Sequence, residues 1–162
     1  MRGRVGVMAE VKSAWANRRH DLARRTAALL SPGDAILSFE RRALLEASAS
    51  RPGLRTMQHV GLGTSIRVAA RYAWAVGFAD RRLTSRGLAT ARRLGLATAV
   101  YTVNDPERIR ELADLGVDAV ITDRPALMRG VLAERTSEAR RRVGLAGEAG
   151  GGNRTRITSL EG

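Results

Sequence analysis

The sequence predicts an α/β protein with parallel strands, and three observations carry that expectation. Apolar runs of strand length alternate with longer stretches of helical period. Clusters of Pro, Gly and Asp separate them. At 162 residues the chain is long enough for one domain with a real core and too short for two full-sized ones. Strands joined through helices cross over rather than turn back, so neighbouring strands are parallel.

Val5 to Val11 (VGVMAEV) reads as the first strand. A helix over Trp15 to Leu30 follows, with Trp15, Leu22, Ala23, Thr26, Leu29 and Leu30 on one face. Ser31-Pro32-Gly33-Asp34 breaks the chain. Ala35 to Phe39 is the second strand, and Glu40 to Ser48 a short helix that Arg51-Pro52-Gly53 ends. Leu54 to Val60 (LRTMQHV) is a weaker third strand, because polar residues interrupt its apolar run. Beyond a Gly-rich turn, Ser65 to Trp74 is predicted helical and Val76 to Ala79 a short extended piece. Leu83 to Leu94 is an amphipathic helix with Leu83, Leu88, Ala91 and Leu94 inward, stopped by Gly95. Ala97 to Val103 and Val117 to Thr122 are the clearest strands. The helix between them, Pro106 to Leu115, has Asp105 as its N-cap, Pro106 at the first helical position and Gly116 at its close. From about Arg135 the composition changes, and Gly147 to Gly152 offers almost nothing to bury. The expected division is a domain over 1–132 and a flexible low-complexity tail over 133–162.

Composition excludes several function classes. The chain has no cysteine, so neither disulfides nor thiolate zinc sites are available. No apolar run approaches the roughly 18 residues of a membrane span, and the N-terminal MRGRVGVMAEVK lacks a signal-peptide core, so the expected location is the cytoplasm. The net charge of +12 points towards nucleic acid, yet the arginines lie in scattered pairs (Arg18-Arg19, Arg24-Arg25, Arg41-Arg42, Arg81-Arg82, Arg92-Arg93) rather than in one block. Nucleic-acid binding is therefore not expected. Of the 28 Lys and Arg residues only Lys12 is a lysine, a compact three-donor ammonium in a chain that otherwise uses guanidinium.

In parallel α/β proteins ligands sit at the carboxyl ends of the strands. The last two strands end in TVND and TDRP, which makes Asn104, Asp105, Asp123 and Pro125 candidates. For each taken singly, turning the chain or capping the next helix is the simpler account.

YTVND followed by GVDAVITDRP resembles the C-terminal half of the glycerophosphodiester phosphodiesterase family, in which a strand ending W-T-V-N precedes a helix and a G-V-D-hydrophobic-T-D-x-P strand. Ala9-Glu10-Val11-Lys12 is similar to that family's E-hydrophobic-K strand. Ser38-Phe39 is similar to its S-F strand end, with Ala43-Leu44 opening the helix after it. The four pieces fall in order over about Val5 to Leu132. The resemblance implies a (β/α)₈ barrel that hydrolyses glycerophosphodiesters, such as glycerophosphocholine, to glycerol 3-phosphate and an alcohol, a step of lipid metabolism that uses a divalent cation, Ca²⁺ or Mg²⁺. The chemistry suits the residue types, since cation and ammonium offset the charge that develops on the phosphodiester. By this resemblance Glu10 is a metal ligand and Lys12 a phosphate contact. On residue type alone the two read as an exposed ion pair at a strand end. Tyr101 stands where the family has tryptophan, in position to line the substrate mouth or to pack the barrel, and Phe39 is placed to touch substrate or fill the core.

The family's H-R-G, E-x-D and H-D strands, which supply two catalytic histidines and the other metal carboxylates, have no counterpart in this sequence. Its two histidines are elsewhere: His20 on the polar side of the first helix, and His59 at the end of the third strand. No catalytic residue is therefore assigned. A whole barrel takes about 200 to 250 residues, so the expected architecture is a partial TIM (β/α)₈ barrel of about five parallel β-α units with a disordered C-terminal tail. Such a piece is expected to be inactive alone, or to need a partner chain that completes the barrel. The alternative is a non-catalytic barrel fragment that at most binds an anion or a protein partner.

Overall fold

The computed structural model describes residues 6–12, 20–145 and 158–161, with side chains described up to residue 140. Trp15 and the Arg18-Arg19 pair lie outside the described residues. The chain divides into two compact units, Met1–Thr98 and Ala99–Gly162.

The first unit holds β1 (Met8–Glu10), α1 (Leu22–Leu29), β2 (Ala35–Ser38), α2 (Arg41–Ser50), β3 (Arg55–Val60), α3 (Ile66–Ala69), β4 (Ala75–Ala79) and α4 (Ser85–Arg93). Its four strands pair parallel in chain order, with Ala9 opposite Ile36, Leu37 opposite Met57 and Val60 opposite Phe78. β2 is buried at all four positions, as a strand covered on both faces should be. Ile36, Leu44, Ala43 and Ala47 pack with Val11, Ala23, Ala27 and Leu30 into one apolar cluster, and Val76, Phe78, Ala91 and Leu96 form a second with Ala69.

Three expectations in this unit need correction. Leu29, expected inward, is 86% exposed. The buried stripe of α1 is Ala23, Ala27 and then Leu30, which lies past the helix end in extended conformation, and this sequence of i, i+4 and i+7 turns Leu29 to solvent. Leu94 is likewise exposed, because it is the C-cap of α4 and the chain turns at Gly95 to bury Leu96 instead. Ser65 to Trp74 keeps only α3, capped by the Ser65 side chain, since Trp74 N–H is already committed to Thr56 O as the chain enters β4. The short extended piece at Val76 to Ala79 is a full strand paired to β3, and with it the described residues form six β-α units.

β5 (Ala97–Tyr101) runs across the division. The second unit continues with α5 (Pro106–Asp114), β6 (Ala119–Thr122), α6 (Pro125–Leu145) and β7 (Thr158–Glu161). Asp105 caps α5 as expected, its carboxylate accepting from Arg108 N at 2.7 Å, with Pro106 opening the helix. At the other end Gly116 takes φ of 71°, and Val117 N–H returns to Leu112 O, the left-handed helix stop that glycine adopts without Cβ strain. Ile109, Leu112, Val117, Val120 and Met128 are fully buried in this unit. Helix α6 continues without a break past residue 132. Residues 146–157, which include the glycine-rich run, lie outside the described residues.

Candidate functional site

The carboxyl ends of β1, β2 and β3 bring together the sequence-predicted residues of the first unit. Along β1 the side chains alternate, so Val11 (2% exposed) enters the core and Glu10 and Lys12 share the opposite side. Lys12 Nζ lies 3.3 Å from Glu10 Oε2, with side-chain exposures of 75% and 30%. This is the surface ion pair that residue type alone suggested, and by itself it contributes little to stability.

Phe39 stands just beyond β2. It does not fill the core: it is half exposed, with its ring stacked at a tilt on His59, centroids 4.6 Å apart. His59 is buried. Burial holds its imidazole neutral, pushing the pKa down to about 4. The Glu10 charge opposes that shift, the Lys12 charge adds to it, and the Gly77 backbone hydrogen bond opposes it. Glu10, Lys12, Phe39 and His59 thus form one cluster. His20, exposed just ahead of α1, takes no part in it.

Two residues outside the predicted site set position this cluster: Ser38, which the sequence marked only as part of the S-F strand end, and Gln58, which no motif marked. Ser38 Oγ donates to Val11 O at 2.7 Å and accepts from Glu40 N at 3.0 Å, which ties the end of β1 to the end of β2. Gln58, 1% exposed, directs its amide hydrogens at the carbonyls of Ser38, Phe39 and His59, at 3.2, 3.0 and 2.9 Å. Its carbonyl accepts from Tyr72 Oη at 2.7 Å, and the Arg41 guanidinium lies over the Tyr72 ring at 5.4 Å. A glutamine in mid-strand, flanked by Met57 and His59, was the available signal, because an amide that becomes buried requires partners on both its ends.

The second unit carries its own strand-end cluster. Tyr101 is partly buried at the end of β5. Asn104 Oδ1 accepts from Thr122 Oγ1 and from Asp123 N, both at 2.9 Å, and its Nδ2 donates to Asp123 Oδ2 at 2.9 Å. Thr122 Oγ1 accepts in turn from Arg124 N. Asp105 caps a helix and Pro125 opens one, as the simpler account has it, whereas Asn104 and Asp123 do something that account did not include and tie the ends of β5 and β6 together.

A hard cation takes six or more oxygen ligands. Among the described residues no three of His, Cys, Asp and Glu converge to hold a metal. Glu10 brings one carboxylate, already beside an ammonium. The described residues therefore do not fit the implied Ca²⁺ or Mg²⁺. Calorimetric titration with either ion is expected to give the same weak isotherm for wild type and Glu10→Gln; tight binding that the substitution abolishes is the contrary result. Among the described residues no helix is long and apolar enough to cross a membrane.

Solved structures share this fold. A glycerophosphodiester phosphodiesterase from Parabacteroides distasonis is 24% identical with a TM-score of 0.70, covering 81% of this chain and 58% of that one. One from Agrobacterium tumefaciens is 25% identical with a TM-score of 0.60, over 82% of this chain and 57% of that one. A phosphodiesterase from Oleispira antarctica, in complex with its product sn-glycerol 3-phosphate, is 18% identical with a TM-score of 0.66, over 80% of this chain and 56% of that one. The chain thus spans a little over half the length of these relatives, and its fold is part of a (β/α)₈ barrel. No match was found among curated proteins. The model of the glycerophosphoryl diester phosphodiesterase family matches residues 13–127, a span that begins just past Lys12 and contains Phe39, His59, Tyr101 and Asn104. This chain belongs to the glycerophosphoryl diester phosphodiesterase family.

Proposed function

We propose that this chain carries the phosphate-gripping part of a glycerophosphodiester phosphodiesterase site. The observation that supports the reading most is Lys12, an exposed ammonium at the carboxyl end of a parallel strand, oriented by Glu10 and flanked by the Phe39–His59 pair. A phosphodiester oxygen beside that ammonium gains a charge-assisted hydrogen bond. The half-exposed Phe39 ring gives the glycerol or alcohol carbons an apolar wall.

Hydrolysis asks for more than binding. A base must take a proton from the attacking water, and an acid must return one to the leaving alkoxide. In the first unit's cluster the candidate for proton transfer is His59, and burial keeps it neutral at pH 7, so it has no proton to spare as an acid. The 162-residue polypeptide is therefore proposed to bind without turning over. The non-catalytic alternative, an anion-binding barrel piece or one that docks on another chain, draws on the same observation.

Purified chain with Ca²⁺ or Mg²⁺ and glycerophosphocholine is expected to release no glycerol 3-phosphate; metal-dependent release sinks the non-turnover half of the reading. Titration of sn-glycerol 3-phosphate into ¹⁵N-labelled chain is expected to shift the amides of Lys12, Phe39 and His59. Lys12→Met should remove that response. Shifts confined to other residues, or kept in the variant, refute the binding half.

A further inference from the structure

Large apolar side chains scattered singly over a surface need no account, but in the first unit four of them gather at one end. Val7 stands just ahead of β1, Leu29 closes α1, Trp74 stands just ahead of β4 and Leu94 is the C-cap of α4, all of them exposed. They mark the amino ends of the strands, the opposite end from Lys12 and Phe39. Backbone and ladder contacts join this end into one row. The Asp34 carboxylate accepts from Val7 N and Ser31 N, and Ala35 N donates to Val7 O at 2.9 Å. Met8, Ala35 and Arg55 stand opposite one another in register, while Trp74 N donates to Thr56 O at 2.9 Å and Trp74 O accepts from Ala97 N at 3.2 Å.

The charge of this end is of one sign. Arg55 begins β3, Arg71 follows α3, and Arg92 and Arg93 lie in the last turn of α4, all exposed. Among the described residues of this unit the carboxylate at this end is Asp34, already committed to two backbone amides. Glu10, Asp21, Glu40 and Asp80 stand at the carboxyl ends of strands or at helix starts, and Glu46 lies within α2. The Arg55 guanidinium lies over the Trp74 ring at 5.1 Å, so cation and aromatic are presented together. A helix dipole accounts for arginine in a last turn, but it gives no reason to leave Val7, Leu29 and Trp74 in water. Nucleic acid would engage the arginines and leave the apolar side chains unused. An anionic bilayer uses both: tryptophan and leucine enter the headgroup region, and the arginine stems follow them with the charged heads at the level of the lipid phosphates.

We propose that the amino ends of the first unit's strands form a face that lies on an anionic lipid bilayer, with Val7, Leu29, Trp74 and Leu94 entering its headgroup region and Arg55, Arg71 and Arg93 meeting its phosphates. The face is independent of the phosphodiester reading, and Lys12→Met should leave it unchanged. The test uses the full chain carrying Trp15→Phe, in which Trp74 is the only tryptophan. With vesicles of phosphatidylcholine containing phosphatidylglycerol the chain should co-sediment and Trp74 emission should move to shorter wavelength, whereas pure phosphatidylcholine should give neither. Each arginine near such a surface strengthens partition about fivefold, so Arg55→Glu with Arg71→Glu should weaken it at least tenfold. Arg81→Glu with Arg82→Glu makes the same change of charge just past the other end of β4 and should stay within about threefold of the parent. Leu29→Ser, a change at an 86% exposed side chain that costs the fold little, should weaken partition about tenfold. Co-sedimentation without a Trp74 shift means adsorption by net charge alone and overturns the proposal. Equal losses in the two arginine pairs, or a Leu29→Ser chain that partitions like its parent, overturn it as well. A Trp74 shift given by duplex DNA and not by the vesicles assigns the face to nucleic acid instead.

Discussion

Between pH 6.5 and about 4 the chain is expected to lose about 3 kcal/mol of stability through His59 alone. In the unfolded chain this imidazole takes up its proton near 6.5, whereas in the folded chain burial delays protonation to about 4. Across that window the unfolded state binds more protons, so stability rises with pH: it is fully present above 6.5 and is lost as pH falls through the folded value. Urea midpoints measured between pH 7 and 4 should fall accordingly, with Tm dropping by roughly 6 to 12 °C for a chain of this size. His59→Leu should flatten the slope across the window. Asp34 acts in a separate range. Its carboxylate accepts from Val7 N and Ser31 N, and these bonds hold its pKa below 3.8, so its contribution is lost only as the solution becomes still more acidic. Equal slopes in wild type and His59→Leu, or an NMR midpoint for His59 near 6.5, would show that burial does not hold the ring neutral.

How far the sequence disclosed this molecule depended on how local each cause is. Asp105-Pro106 at the start of α5 and Gly116 at its end are set by backbone chemistry within a few residues, and the structure has all three in the expected roles. The parallel order is legible for the same reason, because helical segments between strands leave no tight turns. Leu29 and Leu94 went astray because periodicity finds a stripe without saying where the helix stops. In both helices the chain turns at the end and buries the leucine beyond, Leu30 or Leu96. Strand β3 looked weak from its polar residues, yet Thr56, Gln58 and His59 are all buried and the strand is paired on both sides. Burial by neighbours distant in sequence has no local signature.

The candidate site divides along the same line. Glu10 and Lys12 are legible as residue types two apart on a strand, and the ion pair follows from alternation. The family motifs led to Phe39 but not to its stacking partner, since contact with His59 requires the register of β2 against β3. Electrostatics added what no motif carries: a histidine close enough to feel both Glu10 and Lys12, yet kept neutral.

Gln58→Leu is expected to cost about 3 kcal/mol, although it removes no apolar volume. The leucine leaves the carbonyls of Ser38, Phe39 and His59 without the amide that bonds them, and leaves Tyr72 Oη without its acceptor. Tyr72→Phe tests one end of the same arrangement. It deletes one hydrogen bond and keeps the three to the carbonyls, so it should cost only about 1 kcal/mol. The cycle of single and double variants separates a shared network from two independent contacts. With Gln58 already replaced, Tyr72→Phe should cost close to nothing, because the hydroxyl no longer has the Gln58 carbonyl to bond. The arrangement also makes a local prediction. The three carbonyls lie at the strand ends that carry Phe39 and His59, so Gln58→Leu should loosen their stacking and weaken the ring-current shifts between them, while the Asn104, Thr122 and Asp123 amides of the other unit keep theirs. Additive costs in the cycle, or unchanged Phe39 and His59 resonances in Gln58→Leu, would mean that the amide fills space in β3 without holding the strand ends in place.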